Sequence, residues 1–340
     1  MRQPTPALLA RWDEVGAVRA ARFHRFGDPG VLQLEEVAWP APRRDEVLIR
    51  VHASSINGTD LNLRGGGLGL LMAGQLPFTP GFDVAGEVVG GGPQVTAFRP
   101  GDRVYSLLGH RGGGAAEYVA VRQSRVGLAP QGTDLVSAAA VPLSGLTALQ
   151  ALRGEGRLQP GRVGQRVLVY GASGGIGAFA VQLARIMGAH VTGVARPAKL
   201  DYVRSLGVDE AVSTDDLDWT ASHDPWDVIL DTPPALSFDL VRPALGVQGT
   251  LVSVRGLPTR LSDAAAMLGR SGPRFASVRT AERGLDLAFL SRLIESGELR
   301  IPVDRVFALD DIGEAHRYAE GKDVRGKVVV SVVEGGSGEG

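Results

Sequence analysis

The chain has 340 residues, a hydrophobic fraction of 44%, a charged fraction of 21% and a formal net charge of −1. That length suits two domains with separate cores, and the near-neutral balance leaves no electrostatic footprint for nucleic acid or an anionic membrane surface. It contains no cysteine, which removes disulfides, thiolate metal sites and cysteine nucleophiles together.

Residues 1–18 read as a flexible extension, because the first strand pattern starts at Val18-Arg19-Ala20-Ala21-Arg22-Phe23. No apolar run approaches the roughly 18 residues of a membrane span. The opening stretch, with Pro4 and Pro6, lacks a signal peptide's charged region and apolar core, so a cytoplasmic protein is expected. From Val31 to about Ala140, short β-branched runs are cut by turn residues: Leu32 to Val37, Glu46 to Ala53, Val84 to Val89, Asp102 to Tyr105 and Ala116 to Val121. This spacing predicts an antiparallel β-rich domain. Glycine-rich stretches at Gly65 to Gly74 and at Gly112-Gly113-Gly114 read either as loops bordering a site or as plain linkers.

From Ser137 the texture changes to helix alternating with strand. A helix over 137–152, interrupted by Pro142 and Gly145, precedes strands at 166–170, 190–195, 210–213, 227–232, 249–254 and 275–279. That alternation argues a parallel doubly wound sheet. Helix Asp286 to Ser296 closes it. The strand Asp304 to Leu309, helix Ile312 to Glu320 and strand Gly326 to Val332 read as a return to the first domain. The glycine-rich tail 334–340 is expected to be disordered.

Within this frame, the run Arg166-Val167-Leu168-Val169 leads into Tyr170-Gly171-Ala172-Ser173-Gly174-Gly175-Ile176-Gly177 and then an apolar helix ending before Gly188. Strand, glycine turn and helix in that order are what a dinucleotide site needs. Ala172, Gly174 and Gly177 let the chain turn sharply, approach a pyrophosphate and pack helix on strand, with the helix N-terminus facing the anion. About 20 residues further on, an NAD-binding protein places an acid for the ribose hydroxyls. This chain has Ala195-Arg196-Pro197-Ala198-Lys199 at that point. Arg196 and Lys199 either hold a 2′-phosphate or solvate a helix start. The first reading is preferred, and the expected cofactor is NADPH.

With these motifs in hand, the chain resembles the medium-chain dehydrogenase/reductase superfamily, specifically its zinc-free quinone oxidoreductase and enoyl reductase branch. The resemblance covers about residues 18–333. It rests on Asn57-Gly58-Thr59-Asp60, Pro80-Gly81-Phe82-Asp83-Val84-Ala85-Gly86, Pro100-Gly101-Asp102-Arg103-Val104, Ala140-Val141-Pro142-Leu143-Ser144-Gly145-Leu146-Thr147-Ala148, the glycine turn, and Arg325-Gly326-Lys327-Val328-Val329-Val330. It implies an α/β protein: a GroES-like β-barrel catalytic domain (19–140 and 300–333) and a Rossmann doubly wound domain binding NADPH (141–299), with the site in the cleft between them. Zinc-dependent members carry a cysteine where this chain has Asn57 and a histidine where it has Phe82. No metal is therefore expected.

The resemblance implies hydride transfer to a quinone or to a double bond conjugated with a carbonyl. A pathway-specific enoyl or enone reductase of secondary metabolism is one alternative, and a non-catalytic NADPH-binding role is another. By resemblance, Asn57 and Thr59 contact nicotinamide and substrate carbonyl, and Asp60 orients them; from the residues alone, a plain Asn-Gly turn is the preferred reading. Thr147, Gly171 to Gly177, Arg196, Lys199, Thr232, Ser253, Val254, Arg255 and Lys327 are the expected cofactor contacts. Relatives often carry a Tyr beside the adenine, where Ser213-Thr214-Asp215 stands here. The resemblance also implies a homodimer joined along Pro273 to Thr280, which would cover a free sheet edge. Tyr105, His110 and Tyr118 could donate a proton, but a core or surface role is the better account of each. Tyr318 and Lys322 match the Tyr-x-x-x-Lys of short-chain dehydrogenases, but the serine that family needs upstream is absent, and they read as the end of a surface helix.

Overall fold

The structure is a computed structural model, and it describes residues 16–67, 73–216, 218–221, 224–254, 260–269 and 271–333. The expected terminal segments fall largely outside that range: 1–15 and 334–340 are not among the described residues, and neither is Arg255.

The first half is β-rich, as the short alternating runs require. Strands β1 (Val18–Arg22) and β2 (Gln33–Val37) pair antiparallel. The long β3 (Glu46–Ile56) is followed by helix α1 (Gly58–Arg64), then β4 (Asp83–Gly91), β5 (Arg103–Leu107), β6 (Tyr118–Arg122) and β7 (Val126–Leu128). Helix α2 (Leu135–Ala138) and helix α3 (Pro142–Gln150) lead into the second half. The single helix expected over 137–152 is thus two, with Ala151–Glu155 continuing α3 as a π-helical turn. Pro142 explains the break: it occupies the first turn of α3, where its missing N–H costs nothing, and an unbroken helix could not pass through it. Gly145 does not interrupt α3. A Cβ there would stand 2.9 Å from Leu290 Cδ1, so this glycine admits a close neighbour.

Strand β8 (Arg166–Tyr170) is buried at Val167, Leu168 and Val169 because it lies inside a parallel sheet covered on both faces. Helix α4 (Gly175–Ile186) follows, apolar on most sides and stopped by Gly188 at φ 88°. Then come β9 (His190–Ala195), α5 (Leu200–Ser205), β10 (Glu210–Ser213), β11 (Trp226–Asp231), α6 (Phe238–Val241), β12 (Leu245–Ser253), α7 (Leu261–Leu268), β13 (Arg274–Ser277) and α8 (Gly284–Glu295). The six strands run parallel in the order β10-β9-β8-β11-β12-β13. This is the doubly wound order, with its switch point between β8 and β11, where the turn after β8 opens into a crevice.

The chain then returns through β14 (Val303–Ala308), α9 (Ile312–Ala319) and β15 (Lys327–Ser331) to the first sheet, which has the order β14-β15-β3-β4-β5-β7, with β6 paired to β3. The register sets Val328 opposite Ile56 and Ser55 opposite Asp83. The start of β15, the end of β3 and the start of β4 therefore meet at one end of this sheet. That end abuts the turn after β8: Gly174 and Gly326 form a parallel bridge, and Gly326 N donates to Ser173 O at 2.9 Å.

Candidate active site

The glycine turn has the geometry its residues suggest. Gly171 lies at φ 81°, a conformation a side chain would strain, and a Cβ on it would come within 2.4 Å of Thr232 Oγ1. A Cβ on Gly177 would sit 2.2 Å from Gly171 O and 2.8 Å from Ala172 Cα, so helix and turn touch backbone to backbone. Gly174 caps α4 in an extended conformation, with space where its side chain would be. The first N–H groups of α4 and the positive end of its dipole lie at this turn, which suits a pyrophosphate.

Of the other expected cofactor residues, Thr232 touches this turn. Thr232, just past β11, donates its hydroxyl to Tyr170 O at 2.9 Å and braces the turn from behind. Ser253 ends β12, and Val254 N donates to Asp231 O. Thr147 is buried in α3 and shares a 2.7 Å hydrogen bond with Thr280. Arg196 and Lys199 follow β9. Arg196 Nη1 donates to Lys322 O at 3.1 Å, and Lys199 Nζ to Val324 O at 2.5 Å. Burial and the neighbouring Arg196 both pull the Lys199 ammonium below the usual lysine range. Asp323 and Asp304 offset part of that effect, and the hydrogen bonds of both cations go to neutral carbonyls, which an anion can displace. Ser213, Thr214 and Asp215 fold into a tight turn, with Asp215 N donating to Ser213 Oγ at 3.0 Å.

Opposite the turn, Asn57 is not part of a simple turn; it is the N-cap of α1. Asp60, three residues on, accepts from Asn57 N at 2.9 Å and from Gly81 N at 2.7 Å, welding the start of α1 to the loop before β4. Burial pushes the Asp60 carboxyl up to about 6, opposed by those two hydrogen bonds. The spacing Asn57-x-x-Asp60 was the available signal for this helix start. Thr59 is exposed on the first turn.

Sequence reasoning named Asn57 and Lys327 separately and gave no role to Asp83, which joins them. Asp83 is 0% exposed, and its Oδ2 accepts from Asn57 Nδ2 at 2.8 Å and from Ser55 Oγ at 2.5 Å, while its Oδ1 accepts from Leu143 N at 2.6 Å. Lys327, 2% exposed, donates to Asn57 Oδ1 at 2.5 Å and Ile56 O at 3.2 Å, and lies 3.4 Å from Asp83 Oδ2. Burial pulls the Lys327 ammonium below its usual range, against Asp83 and Asp60. Both Asn57 amide hydrogens are spoken for, the second by Ser55 O at 3.3 Å. Asn57 can therefore accept a further hydrogen bond but not give one.

The tyrosines and the histidine stand apart from this centre. Tyr105 OH donates to Leu287 O at 2.6 Å and pairs with Ser291, and burial raises its phenol well above the ordinary range. Tyr118 packs on Trp39 with ring centroids 4.0 Å apart, and His110 is exposed. Tyr318 donates to Asp304 at 2.8 Å, a contact within the first sheet's side of the molecule.

A glycine turn between strand and helix at the switch point of a parallel sheet is the arrangement of a dinucleotide-binding fold. Residues 43–131 match the family described as alcohol dehydrogenase GroES-like domain, and residues 206–330 match the one described as zinc-binding dehydrogenase. The chain is 32% identical over 322 residues to a chloroplastic quinone-oxidoreductase of Triphysaria versicolor, covering 92% of this chain and 98% of that protein. It is 32% identical over 333 residues to the 2-methylene-furan-3-one reductase of Solanum lycopersicum, covering 92% and 79%. Among solved structures, the quinone oxidoreductase from Coxiella burnetii superposes with a TM-score of 0.82 at 29% identity, covering 93% of this chain and 99% of that one. The CurK enoyl reductase does so with 0.82 at 25%, covering the same shares. The chain belongs to the medium-chain dehydrogenase/reductase superfamily of oxidoreductases, in its quinone oxidoreductase branch.

Proposed function

We propose that this protein is an NADPH-dependent, zinc-independent reductase that transfers hydride to a quinone or to a carbon–carbon double bond conjugated with a carbonyl. The observation that carries this reading is the juxtaposition across the cleft. A dinucleotide turn lies against the start of α1, where an amide, a hydroxyl and a buried charge pair stand, with no thiol or imidazole at positions 57 and 82. The relatives named for quinone oxidoreduction, furanone reduction and enoyl reduction support the same substrate range. Those named NAD(P)H oxidoreductase, such as the mitochondrial protein of Homo sapiens at 30% identity, support a nicotinamide cofactor.

The residues fit that cofactor. Gly171 to Gly177 would hold the pyrophosphate, Arg196 and Lys199 the 2′-phosphate, and Thr147, Thr232, Ser253 and Val254 would flank the nicotinamide half. When bound, NADPH supplies the hydride. Thr59 would offer its hydroxyl to the acceptor's carbonyl oxygen, where reduction of a conjugated acceptor places negative charge. Asn57 accepts from a donor on the cofactor or substrate. Asp60 and Asp83 hold these groups in place through the backbone of Gly81 and the amide of Asn57. With no metal to polarise a carbonyl, an isolated ketone is a poor substrate. A conjugated acceptor delocalises the charge itself.

We also propose a homodimer through β13, which ends the parallel sheet and carries the exposed Leu261 and Leu268 of α7 beside it. Sedimentation at micromolar concentration decides this, a monomer counting against it. Cytoplasmic residence remains part of the proposal. Among the described residues no helix is long and apolar enough to cross a membrane. Function is tested by following NADPH oxidation by chelator-treated protein against a quinone, an enal, an aryl enone, an enoyl thioester and a simple ketone. Turnover of a conjugated acceptor without zinc is expected. Tight NADPH binding with no turnover across the panel favours the non-catalytic alternative.

A further inference from the structure

Lys327 has the sequence position of a cofactor contact, one residue past the strand bridge to the glycine turn. Its side chain does something else. The stem runs beneath the turn, so that a Cβ on Gly175 would stand 2.7 Å from Lys327 Cδ. The ammonium continues past the turn to the far side, where its three hydrogens have three acceptors: Asn57 Oδ1, Ile56 O and Asp83 Oδ2. None remains for a phosphate.

We propose that Lys327 is a positioning residue of the reduction, acting through Asn57 and joining the cofactor turn to the substrate side of the cleft. A carboxamide's oxygen and nitrogen ends have nearly the same shape, so only its hydrogen-bond partners tell them apart. Here the ends are told apart by charge. The ammonium takes Oδ1, and the Asp83 carboxylate takes Nδ2 at 2.8 Å. Asn57 is thereby held with its remaining lone pair in one direction and with no free donor. The same Asp83 grips Leu143 N at the start of α3, and Gly326 N grips Ser173 O in the turn. A shift of the turn is transmitted through the Lys327 stem to Asn57, the cap of α1 that carries Thr59. The chain contacts are contiguous, and each link is a hydrogen bond or a packed stem rather than a gap.

This inference rests on the cleft being the reductase site, and a double-mutant cycle separates the two. Lys327→Met keeps the stem under Gly175 and removes the ammonium. Asn57→Ala removes the group it orients. kcat with the best acceptor and the NADPH dissociation constant are measured for the wild type, both single variants and the double variant. A misplaced contact group costs about 10- to 100-fold in rate. Lys327→Met is expected to lower kcat by that factor and leave the NADPH dissociation constant within about twofold, and in the Asn57→Ala background it should cost nothing further in kcat. A weaker NADPH complex by tenfold or more would make Lys327 a phosphate ligand and overturn the inference. Losses in kcat that multiply in the double variant would overturn it as well, because they mean independent action. If Lys327→Met does not fold, Lys327→Arg keeps the charge, displaces the donor and runs through the same cycle with the same criteria. A wild type that turns over nothing refutes the reductase reading itself; a wild type that turns over with multiplicative losses refutes only the role of Lys327.

Discussion

Replacing Arg196 and Lys199 together by alanine separates the two nicotinamide cofactors. A charge-assisted hydrogen bond to phosphate contributes about 1.5–3 kcal/mol, and the exposure of Arg196 puts it at the lower end. In the free protein neither cation is idle. Arg196 holds Lys322 O and Lys199 holds Val324 O, and each must release a bond of about 1 kcal/mol before it reaches a 2′-phosphate. The net contribution is then about 1 kcal/mol per residue, so the double variant should bind NADPH about 30-fold more weakly. NADH has no phosphate to lose, and its affinity should stay within about twofold. Calorimetric titration of both cofactors against the wild type and the variant measures the difference. Equal weakening of NADPH and NADH would refute the assignment of these residues to the phosphate.

Other substitutions probe the framework. Asp83→Ala strands the Lys327 ammonium without its counter-charge and should cost about 3–5 kcal/mol in urea unfolding, whereas a loss below about 1 kcal/mol would mean the pair is not closed in solution. Gly177→Ala drives a Cβ against Gly171 O, so α4 must retreat from the turn. NADPH affinity should drop at least tenfold with a stability loss of about 1–3 kcal/mol, and an unchanged dissociation constant would contradict the packing. Asp60 titrates at about 6 in the folded chain, above its ordinary 3.8, so the folded state holds the proton more tightly. Stability should therefore fall by about 2 kcal/mol as pH rises from 4 to 6 and by a few tenths more before levelling off near pH 7, relative to Asp60→Asn. Parallel pH dependence of wild type and variant over that window would remove the group from the account.

The Rossmann half was legible because its signals are local. A β-branched run, a glycine turn and an apolar helix sit consecutively from Arg166 to Ile186, and the two cations read as a phosphate site follow one strand later. Short elements in the other half were harder to read. Strand β7 has three residues and no alternation to show, and Asn57-Gly58 has the composition of a turn although Asp60 makes it a helix cap. The buried centre was out of reach for a different reason. Lys327 and Asp83 lie 244 residues apart, and only the register of β15 on β3 and of β3 on β4 brings them together. A lone lysine and a lone aspartate carry no periodic signal of that pairing, and solvation is the usual fate of each.

Deuterium transfer tests the central claim most directly. The chelator-treated protein is given NADPH deuterated on the transferred position of the nicotinamide C4, together with an enone, and the product is read by NMR. The account predicts deuterium on the carbon β to the carbonyl, the carbonyl retained, and a rate that added zinc does not raise. Deuterium on the carbonyl carbon of an alcohol, or turnover only after zinc is supplied, would contradict it.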